Sequence, residues 1–325
     1  MTDSQTAQPL LIGVSFAKLQ PGRAVEDWLE APVQEAIETG FGLAGVSGSP
    51  LVFAAVVDPA FDPAQSPSER IAEARGQIEA YLQSLVDAAG EKGIEASSRL
   101  RYGRAETALM ELVEEENVEL VIVGSRPRRS ARDLLVGTTA SKLLRYCPCP
   151  VLVCKPGRRG DEWTVLVADD LGPLGLRGLE LGTRAARRLG ARLVVLHAVE
   201  FQFDTRLKLT GMRKEDVTQY KDKRLAEEEA LLRERIAACG CVDAPGGLEV
   251  KVVGGPPDLA IYDAIDDYDA DLLVMGTRAR TGLPGYLIGN TAERIFPRIK
   301  CSLLAIKPER ATSSPESGDR DRGGR

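Results

Sequence analysis

Two stretches of the chain carry residues of the kind that hold a phosphate. One reads Gly124-Ser125-Arg126 and then Gly137-Thr138; the other reads Gly276-Thr277-Arg278 and then Gly289-Asn290-Thr291. Each starts on a glycine, which lets backbone approach a ligand closely, followed by a hydroxyl and an arginine. Each ends on a glycine that opens a helical pattern, where unpaired backbone N–H groups and the helix dipole favour an anion. The two stretches are copies displaced by 152 positions, with Cys149 matching Cys301 and Lys155-Pro156 matching Lys307-Pro308. An offset that holds without insertion from Glu119 to Pro156 is an internal repeat, and a period this long makes each copy a whole domain.

Other residues could do chemistry but read more simply as structure. Asp169-Asp170 could hold a metal through phosphates, although acids at a strand end often cap the next turn. His197 is the single histidine; it lies inside the apolar run LVVLHAVE, so a triad in its usual form is excluded. Cys147-Pro148-Cys149 and Cys239-Gly240-Cys241 are each one residue short of the usual zinc spacing. We expect reduced, mostly buried thiols and no metal site. Arg126, Arg128, Arg129 and Arg132 could grip phosphates or an acidic partner, or simply face water. There is no G-x-x-x-x-G-K-[ST], and no G-x-G-x-x-G follows either opening strand, so P-loop and dinucleotide readings fail. ATP-pyrophosphatase chemistry needs a Ser/Gly-rich loop after the first strand, where this chain has Ser15-Phe16-Ala17 and Asp170-Leu171-Gly172. We name no catalytic residue and expect no dedicated enzyme, with weak ATP hydrolysis as the most it would show.

The elements that must position these residues follow one plan twice. Apolar runs predict strands over Leu10–Val14, Leu51–Val57, Arg99–Tyr102, Leu120–Val123 and Val151–Cys154. Between them fall a helix with Val25, Trp28, Leu29, Val33 and Ile37 on one face, then helices from Ser66 to about Gly90, from Ala105 to Glu116 and from Gly137 to Tyr146. The second half predicts strands over Val165–Ala168, Leu193–Val199, Leu248–Val253, Leu272–Met275 and Leu303–Ile306. Its helices are predicted over Leu176–Leu189, Tyr220–Ala238 and Asp258–Asp266, with Phe201–Gln219 irregular and polar. Alternation of this kind argues for parallel sheets with helices on both faces. Gly157–Glu162 reads as a linker, and the tail, which lacks large apolar residues, reads as disordered.

At 325 residues the chain has room for about two domains. A net charge of −6 and a pI near 5.2 offer no global basic surface to nucleic acid or an anionic membrane. No apolar run approaches the ~20 residues that span a bilayer. The first ten residues lack the regions of a signal peptide, so we expect a cytoplasmic protein.

The repeated stretch resembles the universal stress protein family in its tandem form, over both halves and about 300 residues. The segment GTRARTGLPGYLIGNTAERIFPRIKCSLLAIKP is especially similar to the C-terminal half of the E-type tandem members of bacteria. The resemblance implies two Rossmann-like domains of the adenine nucleotide alpha hydrolase-like type, each a five-stranded parallel sheet flanked by helices. Residues 1–157 and 158–309 would be the domains and 310–325 the tail. It also implies ATP, with Mg²⁺, bound as a regulatory ligand.

The family pattern is Gly, two residues, Gly, nine residues, Gly, then Ser or Thr. Carried over, it gives Asp170, Ala198, Gly276, Thr277, Arg278, Ala279, Gly289, Asn290 and Thr291 in the second half. The first half gives Ser15, Val56, Gly124, Ser125, Arg126, Gly137 and Thr138. Val56 and Ala198 match the backbone positions that meet adenine.

The departures from the pattern matter. Pro127 stands at the second glycine and has no N–H to donate. Ser15 replaces an aspartate, losing a charged acceptor for ribose hydroxyls worth ~1.5–3 kcal/mol. Ala279 and Asn290 replace the second glycine and the final hydroxyl of the second copy. The second half is therefore the better nucleotide candidate. The rival readings are a nucleotide-free interaction protein with an unknown protein partner, and binding of an apolar ligand by the first half. The resemblance further implies that the closing strands pair, giving a pseudo-dimer within the chain and leaving a further homodimer open.

Overall fold

The computed structural model describes residues 7–16, 25–58, 69–125, 137–156, 162–201, 213–241, 243–277 and 289–308. The linker expected after residue 156 and the tail from 309 lie outside them, except for Glu162. In the first half the strands are β1 (Leu10–Val14), β2 (Leu51–Val57), β3 (Ala96–Tyr102), β4 (Leu120–Gly124) and β5 (Val151–Cys154). They alternate with α1 (Ala31–Ser47), α2 (Glu69–Glu91), α3 (Ala105–Glu115) and α4 (Thr138–Tyr146). The second half has β6 (Thr164–Ala168), α5 (Pro173–Leu189), β7 (Arg192–Val199), α6 (Lys214–Ala238), β8 (Leu248–Gly254), α7 (Pro257–Asp267), β9 (Leu272–Gly276), α8 (Asn290–Ile295) and β10 (Ser302–Ile306).

The ten strands form one sheet in the order β3-β2-β1-β4-β5-β10-β9-β6-β7-β8. Within each half every pairing is parallel. Among the described residues the halves join through one antiparallel strand pair, β5 with β10, in the register Val153–Leu303, Leu152–Leu304 and Val151–Ala305. Strands buried on both faces need apolar side chains throughout, which is why VLVC and LLAI can occupy the middle of the sheet.

On one face α3, α4, α7 and α8 cover a continuous core containing Leu11, Val121, Leu143, Leu273, Ile295 and Leu303, drawn from both halves. On the other face two cores form. One lies under α1 and α2 around Phe53 and Leu82. The other lies under α5 and α6 around Val167 and Leu232.

Four elements differ from the sequence reading. Val25–Trp28 is a separate 3-10 turn, Leu29 bridges to Phe16, and α1 begins only at Ala31. Pro32 fits a first helical turn but not a helix interior, so the helix cannot run through from Val25. The apolar side chains named for that face, Val25, Trp28, Val33 and Ile37, still share one core. Helix α5 likewise starts on a proline, Pro173, three residues before Leu176. Helix α6 starts at Lys214 rather than Tyr220, with Glu215 and Asp216 in its first turn where acids favour the dipole. Strand β3 starts at Ala96 rather than Arg99; its polar Ser97 and Ser98 suit an edge strand.

Candidate functional site

In the second half β6 is flanked by β7 on one side and β9 on the other, so the strand order reverses beside β6. Open α/β sheets bind ligands beyond the carboxyl ends of their strands at such a reversal. A cavity of about 270 Å³ opens there. Ala168, Leu196, Ala198, Ile261 and Met275 line its apolar part, and Asp170, Glu200, Asp258, Asn290, Thr291 and Arg294 bring polar groups to it.

The structure brings together six of the nine residues read from the second copy: Asp170, Ala198, Gly276, Gly289, Asn290 and Thr291. Arg278 and Ala279 lie outside the described residues. Thr277 does not line the cavity; its hydroxyl is buried and donates to the Ile306 carbonyl at 3.1 Å. The ends of the loop are tied, because the Gly289 N–H donates to the Thr277 carbonyl at 3.0 Å.

The paired acids after β6 both border the cavity and differ in burial. Asp170 is exposed at the cavity, and its Oδ1 accepts from the Gly172 N–H at 2.9 Å. The Asp169 side chain is fully buried, with Oδ1 accepting from Leu171 N–H at 2.7 Å and Oδ2 3.1 Å from Arg235 Nε. Arg235, on α6, also donates to the Leu171 carbonyl at 3.2 Å and to the Gly172 carbonyl. Burial pushes the Asp169 carboxyl above its ordinary range, and the Arg235 guanidinium works against that rise. His197 is buried in β7, its Nδ1 2.7 Å from the Asp169 carbonyl. A carbonyl only accepts, so Nδ1 carries the proton. The turn that presents Asp170 is thus held from behind, with Leu171 at a φ of 59°.

The repeat glycines have a packing cause. A Cβ on Gly124 would lie 2.6 Å from the backbone of Pro32, at the start of α1. One on Gly276 would lie 2.9 Å from Leu174 Cβ, at the start of α5. Both strands end where a helix N-terminus is pressed against them.

The first half arranges the same positions differently. Ser125 is buried, and Ser15, Val56, Gly124, Ser125, Gly137 and Thr138 line neither this cavity nor the small void near α2. Arg126, with Pro127, Arg128, Arg129 and Arg132, lies outside the described residues. That void, between Val57, Ile71, Ile78 and Tyr102, holds about 10 Å³, room for roughly one water. Across α3 and α4, Glu106 and Lys142 form an ion pair that holds the Glu106 carboxyl below its usual range. Its counterpart 152 positions on, Asp258 with Arg294, is looser at 3.4 Å and lines the cavity. Asp258, Ile261, Met275 and Arg294 were not read as site residues; their signal was the offset itself, which places Asp258 and Arg294 opposite Glu106 and Lys142.

None of the six cysteines is in a disulfide, and among the described residues no group of three or more His, Cys, Asp or Glu could hold a metal. Among the same residues no helix is long and apolar enough to cross a membrane.

The sequence model of the universal stress protein family matches residues 30–155 and, a second time, residues 164–307. This chain belongs to the universal stress protein family. It is a tandem member, and it is similar to relatives of the same name. It is 26% identical over 252 residues to a universal stress protein E homolog of Haemophilus influenzae, covering 70% of this chain and 75% of that one. To universal stress protein E of Photorhabdus laumondii it is 25% identical over 253 residues, covering 74% and 76%.

Two solved structures share the fold of this universal stress protein. One, of a functionally unknown protein from Pseudomonas aeruginosa PAO1, has a TM-score of 0.65 at 24% identity, covering 94% of each chain. The other, a universal stress protein from Archaeoglobus fulgidus, has a TM-score of 0.60 at 18% identity, covering 93% of this chain and 99% of that one. Membership in the family supports a role in the stress response.

Proposed function

We propose that this universal stress protein works in the cytoplasm by binding an adenine nucleotide, ATP, as a regulatory ligand in its second half, without dedicated turnover. The observation that carries the reading is the cavity at the strand-order reversal beside β6, with Asp170 at its edge. Its volume of about 270 Å³ is near the ~300 Å³ lower end of small-molecule sites, which suits a nucleoside with its phosphates directed outward. The base would rest on the apolar lining beside Ala198, and Asp170 would accept from the ribose hydroxyls. Gly289, Asn290 and Thr291 would face the phosphates together with Mg²⁺.

Titration calorimetry with ATP and Mg²⁺ tests this. The expected affinity is in the ~micromolar range, with one nucleotide per chain. Asp170→Ala should weaken it about tenfold or more, the effect of losing a charged hydrogen bond worth ~1.5–3 kcal/mol. No heat with the native protein would overturn the reading.

The nucleotide-free interaction reading is favoured for the first half alone. Serine stands there in place of the aspartate, and the Glu106–Lys142 pair occupies the place of the cavity's Asp258 and Arg294. A partner bound through that half should survive gel filtration of a protein carrying Asp170→Ala.

A further inference from the structure

At the joint between the halves, a lysine from each half reaches into the other. Lys155 Nζ donates to the Ile299 carbonyl, and Lys307 Nζ donates to the Leu144 carbonyl near the end of α4. Lys307 is buried, at 6% exposure, and beside it lie Cys147 and Cys149 at 1% and 6%. The two sulfurs are 3.6 Å apart. We propose that Cys147 and Cys149 are an oxidisable dithiol that closes to a disulfide when a hydroperoxide reaches this joint, with Lys307 favouring the attacking thiolate.

Three observations carry the assignment. First, the sulfurs need to approach by only about 1.5 Å to reach the ~2.05 Å of a disulfide. Residues 147–150 lie between α4 and β5, outside helix and strand, where such a shift breaks no element. Second, burial pushes the Lys307 ammonium down to about 8, and the two thiols are the acidic groups whose charge acts on it. A buried cation is stabilised by converting a neighbouring thiol to thiolate, the reactive form. Third, the other half is an internal comparison. Lys155 stands beside Cys301, but Ile299 occupies the position of Cys147, so that thiol has no second sulfur at the matching place.

The chemistry balances with the peroxide as oxidant. A thiolate attacks one peroxide oxygen; the S–O bond forms, the O–O bond breaks and hydroxide leaves, which takes up a proton to become water. The sulfur is now a sulfenic acid and the peroxide is reduced. The second sulfur then attacks it, the S–S bond forms, the S–O bond breaks, and the departing hydroxyl leaves as water with the second thiol's proton.

The test treats the full-length protein with hydrogen peroxide, quenches with catalase, denatures, alkylates with N-ethylmaleimide and maps the peptides by mass spectrometry. The expected result is loss of both labels at Cys147 and Cys149, restored by dithiothreitol, while Cys154, buried on the opposite face of the sheet, remains labelled. Cys147→Ile reproduces the residue the second half already uses there and should form no disulfide. Lys307→Met, which removes the neighbouring cation, should slow closure about tenfold.

The proposal is overturned if both thiols stay labelled after peroxide. It is equally overturned if their loss keeps step with Cys154, as global unfolding would give, or if Lys307→Met closes at the native rate.

Discussion

A Cβ added at Gly124 would meet the Pro32 carbonyl carbon and oxygen at 2.6 Å and the Val33 nitrogen at 2.7 Å. All three are backbone atoms, so neither a rotamer change nor a side-chain shift relieves the contact. Gly124→Ala should therefore cost the upper end of the ~1–3 kcal/mol typical of overpacking. Gly276→Ala, against the single side-chain methylene of Leu174, should cost less. Urea denaturation of both variants checks the order, and equal costs would contradict the packing account. The glycines were legible in the sequence as a repeated pattern, but their cause was not. A glycine that admits a helix N-terminus and one that admits a phosphate look alike on the page. The same limit applied to Asp169-Asp170. The dipeptide was visible, whereas the burial of Asp169 against Arg235, with Asp170 left exposed, needed the position of α6 in the fold.

Helix α6 shows what an element can do at a distance from the cavity. Its Arg235 reaches Asp169 and the carbonyls of Leu171 and Gly172, holding the turn that carries Asp170. Arg235→Leu would leave the Asp169 carboxylate buried and unpaired, which costs ~3–5 kcal/mol. Burial already raises this acid's folded pKa above its unfolded value. Above the unfolded pKa the folded state then holds more protons than the unfolded state, so this group's contribution falls as pH rises. The variant's deficit against the native protein should accordingly be larger at neutral pH than at an acidic pH where the carboxyl is protonated in both proteins. The double change Asp169→Val with Arg235→Leu should recover most of the loss, and denaturation at both pH values measures it.

None of this pairing was legible in sequence, because Asp169 and Arg235 are brought together only by the β6–β7 crossover and the return of α6. The apolar strands and their alternation with helices were legible, since apolar runs and helical spacing report them directly. The early start of α6 was not, because Val217 is the one apolar residue from Lys214 to Gln219, too little to show a stripe.

Across the whole molecule the two halves share a sheet and, on one face, a core. The resemblance to the family implied the pairing of the closing strands, but a core built from residues on both sides of that seam leaves no periodic trace. A shared core predicts one cooperative unfolding transition, with circular dichroism and calorimetry coinciding; two resolved transitions would mean the seam does not couple the halves.

The lysines at the seam allow a sharper test. Lys307 has its pKa lowered from 10.5 to about 8, chiefly by burial, with the Cys147 and Cys149 thiols opposing the fall. Between those values the unfolded chain holds the proton and the folded chain does not, so stability from this group rises with pH through that window. Below about 8 the folded protein carries a buried ammonium and its full desolvation cost. Lys307→Met removes that titration. The stability of the native protein relative to this variant should therefore climb by on the order of 1–3 kcal/mol between about pH 8 and 10. Ionisation of either thiol in the same window would keep the lysine charged and flatten the climb, so the measurement is repeated with Cys147→Ile, in which the climb should be steeper. A difference that stays level across the window in both backgrounds would mean that Lys307 does not bury its ammonium between the two halves.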